Sequence, residues 1–126
     1  MERQGEYLTL DNLKVYQLSL IYSKEAWEIY EKLSMPLKIA IGSQHIRSTD
    51  SVGANIAEGY GRFHYLDKIK FYYNARGSLL ESKHWLDLLH TRNIITKERY
   101  NRIFKIYQNI CPMLNGFINK TYKQQS

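Results

Sequence analysis

The chain has one cysteine, Cys111, among its 126 residues. A lone thiol cannot close an intramolecular disulfide, which excludes the small disulfide-stapled scaffolds of secreted proteins. Two prolines and seven glycines are too few for a linker-like or loop-dominated chain and leave room for long regular elements. No apolar run approaches the roughly 20 residues that a membrane span needs. Met1 to Leu10 lacks an apolar centre of signal-peptide length and carries Glu2 and Glu6, so the expectation is a cytoplasmic protein with no membrane partner.

Catalytic and metal-binding patterns are equally scarce. Glu81-x-x-His84 has the spacing of one half of a di-iron helix-bundle site, but His45, His64 and His90 have no glutamate three residues before them, and such a site needs a second pair. Gly59-Tyr60-Gly61 follows a helical stretch rather than a strand, so it is no phosphate-binding loop. Cys111 sits on an apolar seam, where a thiol is structural. No nucleophile-base set is suggested by spacing. The expectation is therefore a protein that is not an enzyme and has no cofactor, no metal and no small-molecule substrate.

What is present is helical periodicity. A length of 126 residues fits one domain, and four helices are predicted at about 13–33, 36–58, 65–91 and 96–121. Asp11 or Asn12 is the expected cap of the first helix. Ser34-Met35-Pro36 opens the second, and Gly59-Tyr60-Gly61 stops it. The short connections make successive helices antiparallel neighbours, so the fold class is all-α, an up-down-up-down four-helix bundle. In the fourth helix Tyr100, Ile103, Tyr107, Ile110, Leu114 and Phe117 step by three and four, and in the third Tyr72, Ala75, Leu79, Leu86 and Leu89 do so with Ser82 in the gap. This is knobs-into-holes spacing. Pro112 is expected to kink the fourth helix or free the Gln108 carbonyl.

The first helix carries two apolar seams. Leu13, Tyr16, Leu20, Trp27 and Tyr30 form one, and Val15, Leu18, Tyr22, Ala26, Ile29 and Leu33 the other. One core needs one face, so the second predicts either a homo-oligomer contact or an unusually wide core.

Between the second and third helices the sequence predicts a polar layer. Gln44, Ser48, Ser51, Asn55 and Glu58 share one face, beside a seam of Ile39, Gly42, Ile46, Thr49, Gly53 and Ile56, and face Asn74, Ser78 and Glu81. Arg47 or Arg76 is expected to pair with Glu81. The layer reads either as a device that fixes register or as a ligand site.

Charge is lopsided. Residues 1–35 sum to −2, 36–61 to 0, 62–95 to +3 and 96–126 to +5. A one-sided basic surface attracts polyanions. The candidate RNA contacts are Arg62, Lys68, Lys70 and Lys83, with Lys97, Arg99, Arg102 and Lys105 on the fourth helix. Tyr60, Tyr65 and Tyr73 lie near these cations, and aromatics beside basic residues stack on unpaired bases.

Gln44-His-Ile-Arg47, Ser51-Val-Gly-Ala-Asn55-Ile-Ala-Glu58-Gly59-Tyr60-Gly61-Arg62 and Ala75-Arg76-Gly77-Ser78-Leu79-Leu80-Glu81 together resemble the family of 23S rRNA intervening-sequence proteins, over nearly the whole chain. The resemblance implies a small cytoplasmic bacterial four-helix bundle. Related accessory proteins of diversity-generating retroelements form basic pentamers that engage a reverse transcriptase and nucleic acid. The chain departs from the pattern at Ser48, where a second arginine is usual, at Asn74, and at the basic Lys68 and Lys70, which move the expected basic surface toward the third and fourth helices.

Overall fold

The computed structural model describes residues 9–125. These form four long helices and no strand. Helix α1 spans Lys14–Lys32. Helix α2 is built from three contiguous pieces: Met35–Leu37, the π-helical Lys38–Gly42, and Ser43–Tyr60. Helix α3 spans Tyr65–Thr91 and α4 spans Lys97–Gln125. Helix α4 runs through Pro112, which lies on its exposed side.

The helix ends show how local chemistry sets the boundaries. The entry to α1 differs from expectation. Leu10–Asn12 forms a 3-10 turn, the cap position is Leu13, and its buried side chain rather than an Asp11 or Asn12 oxygen fixes the entry. At α4 the Thr96 hydroxyl accepts the Arg99 backbone N–H at 3.1 Å, which satisfies one donor of the open first turn. After α3 the chain reverses at Asn93, whose φ of 59° is left-handed, a conformation asparagine tolerates better than most residues. The Ile94 N–H then returns to the Leu89 carbonyl at 2.9 Å.

The stop of α2 falls within the expected Gly59-Tyr60-Gly61, two residues later than 58. Gly59 is buried inside the helix. A Cβ there would lie 2.6 Å from the Tyr72 ring, so this glycine exists for close approach to α3, not for termination. The helix runs to Tyr60, and Gly61 is its cap. Lys68 reaches back from the first turn of α3 and donates to the Tyr60 carbonyl at 2.8 Å and the Gly59 carbonyl at 3.4 Å. A cation at a helix C-terminus neutralises the orphan carbonyls.

Contacts between helices run in opposite order along each neighbouring pair. Gly42 lies against Tyr30 and Leu33, while Gly53 lies against Ser19 and Tyr16. Gly59 meets Tyr72 and Ser51 meets Ser78. Asp87 meets Tyr100 and Arg76 meets Asn115. Glu28 meets Arg99 and Glu25 meets Arg102. The enclosed core includes Tyr22, Val52, Ile56, Leu79, Leu86, Ile103, Ile110 and Leu114, all essentially solvent-free. Each such side chain contributes about 1.5–3 kcal/mol on burial.

The buried polar groups are mostly satisfied within their own helix. Ser48, Thr49 and Thr121 donate to carbonyls one turn back, as helical hydroxyls do. Ser82 donates to the Leu79 carbonyl and lies 2.6 Å from the Tyr22 hydroxyl. The serine has one proton, already committed, so Tyr22 is the donor.

Two features of the apolar pattern differ from a simple heptad reading. A π turn holds more residues than an α turn, so Lys38–Gly42 shifts the phase of α2. Ile39 leaves the inner seam and stands 71% exposed, while Ile41 takes the core position. On α1, Val15, Tyr22, Ala26 and Ile29 face the core, whereas Leu20 and Trp27 of the other seam stand about half exposed.

Candidate functional site

The predicted polar layer forms only at its centre. Ser78 donates to Ser51 at 2.9 Å, and the Asn55 amide reaches both the Ser51 carbonyl and its hydroxyl at 2.9 Å. Gln44 is exposed and takes no part. The expected partner of Glu81 is corrected: neither Arg47 nor Arg76 reaches it, and it accepts instead from the Trp85 indole at 3.0 Å. Arg76 lies on the α4 side, donating to Asn115 at 3.1 Å with its guanidinium 4.7 Å from the Tyr73 ring centre. Arg47 is exposed, with no ion pair among the described residues. Glu58 pairs with Arg62 one turn on, at 2.6 Å. Gly77, next to Arg76, marks no close helix contact, because nothing lies within 4 Å of where its Cβ would be.

The polar group deepest in this region is one that heptad spacing does not expose, His45. It is 1% exposed, and its Nε2 has no hydrogen-bond partner. Burial lowers its pKa from 6.5 to about 4, so the ring is neutral near pH 7. It is not a contact for an external ligand.

The eight candidate RNA contacts divide sharply. Five are engaged within the chain. Arg62 pairs with Glu58 and lies over the Phe71 ring at 4.7 Å. Lys68 caps α2, and burial pulls its ammonium below the usual lysine value. Lys83 donates to Asp87 at 2.7 Å and lies over Phe104. Arg99 bridges Glu28 and Glu25 at 3.2 and 3.6 Å. Arg102 donates to Glu25 at 3.0 Å while its own side chain stays half exposed. Asp87 receives the Tyr100 hydroxyl as well as Lys83. Burial raises its pKa, but the two hydrogen bonds outweigh that and hold it below the ordinary value.

Lys70, Lys97 and Lys105 are the other three. All are exposed, and none has an acidic partner among the described residues. Lys120, which spacing did not single out, shares both properties. It belongs to the C-terminal basic stretch, so charge per segment was the one signal that pointed to it.

Lys120 and Lys68 line a cavity of about 210 Å³ at the end of the bundle, together with Tyr60, Tyr72, Thr121 and Leu13. Among the described residues no carboxylate lines it. Beside this end lies the α2–α3 turn, where Phe63 is 87% and Leu66 is 67% exposed. Phe63 packs only edge-on against His64, with ring centres 5.0 Å apart.

Among the described residues no cluster of histidine, cysteine, aspartate and glutamate is arranged to hold a metal ion, and no helix is long and apolar enough to cross a membrane. Burial pushes the half-buried Cys111 thiol above its usual value, away from the thiolate form that reacts.

The chain is similar to known proteins at two levels. No curated protein matches it. A solved structure does: the crystal structure of a protein of unknown function from the S23 ribosomal protein family of Bacteroides thetaiotaomicron. It shares 28% sequence identity and a TM-score of 0.77, over 82% of this chain and 97% of that one. The family described as 23S rRNA-intervening sequence protein matches residues 11–116. With this match running from before α1 to deep in α4, the chain belongs to the 23S rRNA-intervening sequence protein family.

Proposed function

We propose that this protein is a non-enzymatic, oligomeric helical bundle of the cytoplasm that associates with ribosomal or other structured RNA through a basic surface. We take its connectivity as up-down-up-down, because contacts run in opposite order along every neighbouring helix pair. The observation that carries the RNA reading is a set of lysines, Lys70, Lys97, Lys105 and Lys120, exposed and unneutralised among the described residues. Glu25 and Glu28 of α1 have already taken Arg99 and Arg102, so these lysines hold the excess charge free for phosphates. Contacts of this kind follow the RNA backbone, carry little base information and weaken with salt. The family description points the same way.

A titration against a helical 23S rRNA fragment at low and moderate salt tests this. The expected result is binding that falls with salt, with each lysine neutralised removing roughly one phosphate contact from the salt slope. Absence of binding at low salt overturns it.

A second reading is favoured by the exposed stripe of Leu20 and Trp27 on α1. Apolar groups gathered on one face mark a protein contact. In the first reading a sister subunit covers it. In the second it seats a partner, such as a nucleic-acid enzyme of the reverse transcriptase kind. Sedimentation of wild type and Trp27→Glu separates them: an assembly that dissociates in the variant supports the homo-oligomer, and a wild-type monomer favours the partner.

A further inference from the structure

The bundle end where α2 gives way to α3 combines two features that the basic-surface reading does not use. The first is the cavity between Lys68 and Lys120. Its cations come from different helices, α3 and α4, and among the described residues its lining holds no carboxylate. A lysine ammonium has three donors. Lys68 directs two of them at the Tyr60 and Gly59 carbonyls, which leaves one, while Lys120 has no acidic partner among the described residues. Thr121 uses its proton on the Phe117 carbonyl, so its oxygen repels rather than attracts an anion, and the two lysines supply the positive charge of the lining. At about 210 Å³ the space is below the ~300–1,000 Å³ of pockets that enclose a drug-sized ligand. A phosphate fits this space.

The second feature is the turn itself. Phe63, at 87% exposure, leaves nearly its whole ring in water. Arg62, beside it, is held over Phe71 and against Glu58, so the ring is not covered by its neighbour. Asp67 is the one acidic side chain in the first turn of α3. An uncovered aromatic ring next to a cationic recess is the combination that binds unpaired nucleotides, with the base stacked on the ring and the backbone charge met by lysine. Charge assigns the parts: the two lysines of the recess meet the phosphate, and the exposed ring of the turn meets the base.

We infer that this end of the bundle binds single-stranded nucleic acid, with one phosphate held between Lys68 and Lys120 and the adjoining base stacked on Phe63. The inference rests on the RNA reading above. It adds a single-strand site at the α2–α3 end, separate from the outer face of α4 that carries Lys97 and Lys105. The phosphate is either a 5′-terminal group or an internucleotide one; both present the same oxygens to the two lysines.

The test is fluorescence anisotropy of the full chain against a short single-stranded RNA labelled at its 3′ end, prepared with a 5′-phosphate and with a 5′-hydroxyl, and against a duplex of the same sequence. The variants are Phe63→Ala and Lys120→Ala, both at exposed positions, with Lys105→Ala as the comparison; circular dichroism confirms that each is folded. Loss of one stacked base corresponds to about tenfold weaker binding. The expected result is that loss for Phe63→Ala and a similar one for Lys120→Ala, with a smaller change for Lys105→Ala. An effect of Lys120→Ala confined to the phosphorylated strand supports a terminal phosphate; an equal effect on both strands supports an internal one. Wild-type binding that both variants retain, or a preference for the duplex, overturns the inference while leaving the RNA reading standing. No binding of any RNA at low salt removes both.

Discussion

His45 makes stability depend on pH within a defined window. The side chain is 1% exposed, its Nε2 is without a partner, and burial lowers its pKa from 6.5 to about 4. Between those values the unfolded chain takes up a proton that the folded chain refuses. Stability therefore falls as pH drops from about 6.5 and levels off below about 4. The gap, at about 1.36 kcal/mol per unit, comes to roughly 3 kcal/mol, a large part of the 5–15 kcal/mol that holds a typical domain together. With a urea slope of about 1–3 kcal/mol/M, the denaturation midpoint of wild type should fall by roughly 1–3 M between pH 7 and pH 4. His45→Leu removes both the titration and the orphaned nitrogen. It should flatten that dependence and be neutral or stabilising at pH 7, because an unpartnered buried polar group is lost. Asp87, held below its ordinary value, adds a loss of the same sign, but as a carboxylate it does so mainly below pH 4. An equal fall in midpoint for wild type and His45→Leu across pH 7 to 4 would refute the reasoning.

Three further outcomes follow from the same contacts. Ser82→Ala leaves the Tyr22 hydroxyl without an acceptor and should cost about 1–3 kcal/mol. Tyr22→Phe should cost less, about 0.5–1.5 kcal/mol, with the double variant close to Tyr22→Phe alone in a thermal-melt cycle. Gly59→Ala should destabilise by about 1–3 kcal/mol, because Tyr72 must move, whereas Gly77→Ala, with open space at its Cβ, should stabilise by about 0.5–1 kcal/mol; paired urea curves decide. Arg99→Met should lower stability by about 1–3 kcal/mol, because the mostly buried Glu25 loses one of its two arginines, and leave RNA affinity nearly unchanged, whereas Lys105→Glu should leave stability nearly unchanged and weaken RNA binding, measured by melting and by titration.

The sequence made the helices and most of the core legible, for a reason visible in α3 and α4. Tyr72, Ala75, Leu79, Leu86 and Leu89 are all buried, as are Ile103, Tyr107, Ile110 and Leu114, because both helices are unbroken and their apolar spacing keeps phase. Helix α2 was read less well because its phase changes inside the element. The π turn at Lys38–Gly42 has no composition signal, yet it turns Ile39 outward and places Ile41 and His45 in the core. Gly59, two residues before Gly61, reads from spacing as part of a helix end. Its use is close approach to α3, and only the position of Tyr72 reveals it.

The site was less legible than the fold, and the reason is pairing. Net charge counts Arg99 and Lys105 alike, but a cation one turn from a glutamate of the same helix, or opposite one on the next, is spent inside the molecule. Glu58 sits four residues before Arg62, and Lys83 four before Asp87; those pairs stand in the sequence at helical spacing. The Arg99 and Arg102 pairs with Glu25 and Glu28 cross from α4 to α1, and only the fold reveals them. The two glutamates that α1 turns toward α4, Glu25 and Glu28, thus hold the basic last helix in place by neutralising part of it. The charge left for an external anion lies where α1 offers no carboxylate: at Lys70 on α3, at Lys97 and Lys105 on α4, and at Lys120 beside the cavity at the bundle end.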